Sequence, residues 1–267
     1  RGNNFGYFAG GKEPSSVTTV DRIDFGNDTA TTTPKGFLTH TSGPASAVGN
    51  HNYGYLQRYY YSAIDRIEYA NDTATALHRS NANNPAGYNA AVGNVDYAYW
   101  AAGNSNSTVM RTDYANDTTD AVAKGYMMQP TTLAMSGAGN KDYGYFGGLQ
   151  PSVSSTSRID YSNDTATQLE KGALSSTGYM TAASGNANFG YWGGGPATGS
   201  RVDRLDYAND LANMVTKGNV TSPKRNKRSA TGTSNFGYIG GGNPAPIVTI
   251  VDRIDYSNDT AAIVARG

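Results

Sequence analysis

Residues 158–164 read Arg-Ile-Asp-Tyr-Ser-Asn-Asp, and the pattern Arg-x-Asp/Glu-aromatic-x-Asn-Asp recurs from Arg22, Arg66, Arg111, Arg204 and Arg253. Successive copies stand 44 to 49 residues apart, so nearly all of the 267-residue chain is one unit repeated six times. A period in this range marks a propeller blade, four short strands that cannot bury their faces without neighbours. The expectation is a single domain over 1–267, an all-β ring of six blades with about 45 residues each.

The rest of the unit follows from the residues on either side. Ahead of the string, 141–148 (KDYGYFGG) reads as a strand ending on a glycine pair, where the backbone turns sharply. At 157–161 (SRIDY), Ile159 faces one way and Arg158 and Asp160 the other, the alternation of a half-buried strand. Equivalent strands are expected over 20–25, 64–69, 109–114, 202–207 and 251–256. Ser162-Asn163-Asp164 is a turn, because Asn tolerates left-handed backbone angles and Asx side chains bond the backbone two residues on. A further strand is expected at 165–171, and small residues at 179–184 lead through Gly185-Asn186 into the next copy. Antiparallel strands place alternate connections at opposite ends. The short G-N and N-D turns therefore share one face of the ring, and the variable loops share the other.

Copy one starts at Gly2-Asn3, already past the small-residue strand, and copy six stops at Arg266-Gly267 after its outer strand. The first blade is thus expected to lack one strand. Two sources stay open: a segment outside this sequence, or a neighbouring chain that adds a strand and so builds fibres. The first residue is Arg1 rather than Met, and a fragment or processed form is expected.

Composition narrows the function classes. Lys plus Arg and Asp plus Glu each number 21, so long-range steering toward nucleic acid or an anionic membrane is not expected, and self-association meets little repulsion. There is no Cys, which removes disulfides, thiolate metal sites and a Cys nucleophile. No apolar run approaches the ~20 residues that cross a bilayer as a helix. His40, His51 and His78 have no ligand spacing, and neither a G-x-S-x-G elbow nor a phosphate loop is present. Neither a metal, nor a cofactor, nor an enzymatic activity is expected.

Sixfold copying assigns the repeated charges to structure, since an active site needs one asymmetric constellation. Arg22, Arg66, Arg111, Arg158, Arg204 and Arg253 are read as scaffold, each bridging its own acid, an adjacent strand or the next blade. The turns also spell glycosylation sequons at Asn27, Asn71, Asn116, Asn163 and Asn258, although turn chemistry alone explains them. Departures from the unit are the candidate ligand-binding residues. In copy two the glycine pair is replaced by Gln57-Arg58-Tyr59-Tyr60-Tyr61, and after blade five comes Lys224-Arg225-Asn226-Lys227-Arg228. Both fall on the variable face. Adjacent tyrosines suit stacking on sugar rings or protein contact, with packing into a blade joint as the alternative. The basic run suits an acidic polysaccharide or phosphate, with a solvated loop as the alternative. A polysaccharide-acting enzyme would instead need a unique carboxylate pair, for which Asp96, Asp120 and Asp142 are examples of non-repeated acids.

The unit resembles a kelch-type repeat: glycine pairs at Gly10-Gly11, Gly147-Gly148, Gly193 to Gly195 and Gly240 to Gly242, followed by an acidic-aromatic strand and an Asn-rich turn. It lacks the usual Trp of the fourth strand. The strings 143–148 (YGYFGG) and 251–261 (VDRIDYSNDTA) are similar to repeats in structural proteins of aquatic bacteriophages, of the tail-fibre kind. That resemblance implies a virion-surface or extracellular location, with other virion or fibre subunits and a host-surface glycan as partners. A non-enzymatic structural and binding module is the leading expectation, and a self-assembling filament or tail-platform subunit is the competing one. Neither requires specific nucleic acid or membrane insertion.

Overall fold

The computed structural model describes residues 4–11, 15–43, 46–58, 61–83, 87, 89–101, 106–128, 135–148, 153–178, 181–195, 199–221, 227–243 and 250–267. Among the described residues six antiparallel sheets are arranged as the blades of a ring, five with four strands and one with three. In the fourth blade the strands run Ser136–Gly139, Tyr143–Gly147, Thr156–Asp160 and Leu169–Lys171, from the axis to the rim. Regular structure other than strand among the described residues is limited to three-residue 3-10 turns, such as Tyr161–Asn163. The six-bladed propeller expected from the period is therefore the fold.

Local chemistry explains each corner of the blade. Between the inner and second strands, the Asn140 side chain accepts from the backbone N–H of Asp142 at 3.0 Å and of Tyr143 at 2.9 Å. Asn50, Asn94 and Asn186 make the same cap. In blade six Thr233 replaces Asn and its hydroxyl accepts the same pair of bonds, so the turn survives the substitution. The glycine before it is required by crowding: a Cβ on Gly139 would sit 2.3 Å from the Tyr143 carbonyl oxygen.

The third strand ends one residue earlier than the sequence suggests. It stops at the acid, for example Asp160, and the aromatic that follows begins the 3-10 turn. The reason is a side-chain cap: Asp160 Oδ1 accepts from Ser162 N at 2.9 Å, as Asp24, Asp113, Asp206 and Asp255 do from the residue two positions on. The outer strand is likewise shorter than 165–171, because its first residues complete that turn.

Cores lie between blades rather than within them. Tyr99 and Val109 of blade three pack with Phe146 and Ile159 of blade four, all 2 % exposed or less. Blade one holds three strands, Phe5–Ala9, Val17–Asp24 and Thr33–Ser42, and its innermost is the counterpart of the second strand elsewhere. The short first blade is as the repeat count requires.

Candidate binding faces and the axial cavity

The repeated arginines reach across to the next blade, and their target is the Asp of the following N-D turn. Arg158 Nη1 stands 2.7 Å from Asp210 Oδ2, and the Tyr145 hydroxyl donates to the same oxygen at 2.9 Å. The pattern repeats at every joint: Arg22 and Tyr7 on Asp72, Arg66 and Tyr55 on Asp117, Arg111 and Tyr99 on Asp164, Arg204 and Tyr191 on Asp259. The sixth joint closes the ring, with Arg253 and Tyr238 on Asp28. At five joints the outer strand adds a second cation to the other carboxylate oxygen: Arg79, Lys124, Lys171, Lys217 and Arg266. Each principal arginine also lies over the aromatic that opens its second strand, 4.2 Å from the Tyr143 ring centroid for Arg158. Each clamp tyrosine stacks on the turn aromatic of the next blade, with centroids 4.7 to 5.0 Å apart.

Of the three roles the sequence left open for these arginines, the bridge to the next blade is the one the geometry shows. The turn Asp is the residue that sequence reasoning missed. Its signal was present: Asn209-Asp210-Leu211 keeps the Asp where the sequon Thr is lost. The five sequon asparagines are exposed on the turn face, and the copying of N-D is accounted for by the clamp.

These clamps set a pH window. Burial pushes the Asp117 pKa upward, but hydrogen bonds from Arg79, Tyr55 and Arg66 outweigh it and hold the carboxyl below its ordinary value. Asp210 is lowered against burial in the same way by Tyr145, Lys171 and Arg158. Stability from such groups is present above the unfolded carboxylate pKa of about 3.9 and is lost as pH falls through the folded value. Tyr7, Tyr55, Tyr99, Tyr145, Tyr191 and Tyr238 are shifted upward, first by burial and then by their Asp partners. Their contribution is full below the unfolded phenol pKa of about 10 and is lost as pH rises beyond it. Thermal melts across pH should therefore show a plateau, with Tm falling below about pH 4 and again above about pH 10. A Tm that stays flat from pH 9 to 11.5 would remove the tyrosines from the account.

The loop face carries the irregular residues. Arg58 closes its hairpin by backbone bonds to Ala63 and Tyr61, and its guanidinium lies 5.0 Å from the Tyr61 ring centroid. Arg58 Nε is also 3.9 Å from Asp65 Oδ2, a fully buried carboxylate that accepts from the Thr39 hydroxyl at 2.6 Å. Arg58 is thereby anchored from below, and Tyr61 stands 58 % exposed above it. Tyr59 and Tyr60 lie outside the described residues.

The basic run divides. Lys224 and Arg225 lie outside the described residues, and Lys227 takes a left-handed φ of 59°. Arg228 turns inward: its side chain is 2 % exposed and its Nη1 stands 3.5 Å from Asp252 Oδ2. Gly194 makes this passage possible, since a Cβ there would meet Arg228 Cδ at 2.9 Å. As a member of an exposed basic loop Arg228 is corrected to an interior ion pair that ties the connection after blade five to blade six. Asp203 anchors the preceding joint by accepting from Ser175 and Thr216. The aspartate directly before the repeated Arg is thus a second scaffold position, absent in copies three and four, where Met110 and Ser157 stand.

The three non-repeated acids named from the sequence stand on different elements. Asp96 and Asp142 are in the inner turns of blades three and four, and Asp120 accepts from Asn81 N at 2.8 Å on an outer strand. Among the described residues no three His, Asp or Glu side chains are grouped as a metal site would need. Along the axis runs a cavity of about 370 Å³, walled by the small residues of the inner strands, among them Ala47, Val92, Ala138 and Ala183. On blade one its wall is the Phe5–Ala9 strand itself.

No protein-family model matches this chain, and no curated protein is similar to it in sequence. Among solved structures the chain is similar to one described as "Structure of YjhT", with a TM-score of 0.79 at 11% identity. The match covers 100% of this chain and 95% of that one, and at such low identity it speaks for the propeller fold alone.

Proposed function

We propose that this chain is a non-enzymatic, kelch-like propeller that serves as a structural and binding module of a virion or extracellular fibre. Its loop face meets a host-surface glycan or a partner protein. The observation that carries this reading is the division of labour around the ring. The repeated Arg, Asp and Tyr are held in blade joints, while the outward Tyr61, braced by Arg58, belongs to a single irregular loop. A rigid aromatic with a hydroxyl at its tip offers contact area at small entropic loss, which suits a sugar ring or a protein surface. The similarity of the repeat strings to those of aquatic phage structural proteins supports the setting.

The test is a variant with Tyr59, Tyr60 and Tyr61 all changed to Ser, assayed for adhesion to host envelope polysaccharide. Adhesion should fall about tenfold or more, the size of one aromatic anchor, with circular dichroism and Tm close to the parent. Unchanged adhesion by a folded triple variant would take the tyrosines out of the site. The competing reading, assembly without recognition, draws on the balance of 21 basic and 21 acidic residues, which leaves little repulsion between copies.

A further inference from the structure

We propose that the joint between blades one and two binds the anionic group of an acidic polysaccharide, a carboxylate or a sulfate ester, through His40, Arg58 and His78. This deepens the loop-face reading and rests on it for the sugar ring, which lies on Tyr61. The starting point is a carboxylate whose surroundings no other blade repeats. Asp65 is fully buried, and its Oδ2 accepts from the Thr39 hydroxyl of blade one at 2.6 Å. Its Oδ1 accepts no hydrogen bond. Opposite it on the outer strand Leu77–Asn81 stands His78, where blade five sets Thr216 opposite Asp203 and blade six sets Ala265 opposite Asp252. Asp203 is satisfied by Ser175 and Thr216, and Asp252 accepts from the N–H and hydroxyl of Thr221.

At Asp65, by contrast, three groups able to carry positive charge gather on one acid. His78 Nδ1 stands 3.7 Å from Asp65 Oδ1, and its side chain is 49 % exposed. Arg58 Nε stands 3.9 Å from Oδ2 and makes no hydrogen bond. Both separations exceed hydrogen-bond length, so both side chains keep donors for a further acceptor. His40 joins through Thr39. The Thr39 proton goes to Asp65, so the Thr39 oxygen can only accept, and His40 Nδ1 at 3.1 Å is the donor. Nε2 of the exposed His40 is then the nitrogen left to gain a proton.

The charge balance of this joint depends on acidity. Histidine is the side chain whose charge ordinarily changes between about pH 5 and 8, and two of the three in the chain are here. With both imidazoles neutral, Arg58 is matched by Asp65. With both protonated, three cations face one carboxylate. The other charged groups of these strands are engaged or set apart. Arg66 and Arg79 turn to the opposite joint, onto Asp117, and Arg22 is held on Asp72 in the clamp. Lys35 adds a further cation on Thr33–Ser42, and Glu68 ends its strand at the turn. An anion is therefore drawn in more strongly as pH falls, whereas stacking on Tyr61 alone is indifferent to pH.

The probes are trigalacturonate, its fully methyl-esterified form and a sulfated galactan trisaccharide, each titrated calorimetrically into the 267-residue protein at pH 5.5 and pH 8. At least one anionic probe should bind at pH 5.5 with a Kd of about 1 mM or tighter, and about tenfold more weakly at pH 8. The neutral ester should bind about tenfold more weakly than the acid at pH 5.5. Preference between the two anionic probes tells carboxylate from sulfate. The double variant His40→Gln, His78→Gln changes two surface positions, so it should keep the parent Tm and bind equally at both pH values. The proposal fails if neither anionic probe binds, if ester and acid bind alike, or if the double variant keeps the pH dependence. Its failure is separable from that of the tyrosine reading. Adhesion lost in the Tyr59, Tyr60, Tyr61 variant, with acid and ester bound alike by the parent, overturns the anion site alone. Acid-selective binding that survives the tyrosine change but not the histidine change removes the tyrosines and supports the anion site.

Discussion

Asp28→Ala is expected to lower the unfolding free energy by about 3–5 kcal/mol, the range for removing one partner of a buried ionic cluster. The carboxylate is 8 % exposed and is shared by Arg253, Arg266 and the Tyr238 hydroxyl, so its loss leaves two cations and a phenol facing a desolvated joint. This joint differs from the other five in one respect. The others join segments already linked through the chain, whereas Asp28 and Arg253 are 225 residues apart. Tm should fall by about 10 °C. Asp117→Ala, at an internal joint, should cost a similar free energy without releasing the ends. Protease cleavage confined to the two terminal blades is therefore expected in the Asp28 variant and not in the Asp117 variant. Equal cleavage patterns would contradict the closing role.

Gly172→Ala should destabilise by about 3 kcal/mol, although it adds a single methyl group. Gly172 follows Lys171 on an outer strand, and its N–H donates to the Asp210 carbonyl at 2.7 Å. A Cβ at that position would stand 1.9 Å from the Ala212 oxygen. Both contacts are backbone, so no rotamer change relieves them and the two blades must separate. Gly36, Gly125 and Gly267 meet the next blade in the same way, which makes the Lys/Arg-Gly pair a second element of the joint. Gly26→Ala is the matched control: its Cβ meets only the Asp24 carboxylate, at 3.3 Å, and should change stability by less than about 0.5 kcal/mol. A chemical denaturation series on the two variants decides. Similar midpoints would mean that the blades are less closely apposed than described.

These two residues also show where sequence reading succeeds and where it stops. The ring was legible because Arg-x-Asp-aromatic-x-Asn-Asp returns at a blade-sized interval, and the strand alternation around Ile159 is visible within five residues. The short first blade was legible for the same reason. The clamp was not, because Asp28 and its equivalents look like local turn formers while their partners lie some fifty residues away or at the other end of the chain. Lys171-Gly172 looked like the tail of a strand, since nothing within the copy shows that its backbone touches the next one. On the loop face, Arg58 and Tyr61 were singled out as departures from the unit, and the geometry places them together. Arg228 was grouped with its basic neighbours, although a glycine 34 positions earlier, Gly194, opens the space that draws it inward. Composition alone does not reveal that kind of pairing.

The closed ring is tested most directly by a double-mutant cycle between Asp28 and Arg253, using Ala at each position and at both. Contact across the seam predicts a coupling of about 1–3 kcal/mol, comparable with that between Asp164 and Arg111 at an internal joint. If the two substitutions add within about 0.5 kcal/mol while the internal pair couples, the first and last blades do not meet in solution, and the ring is open.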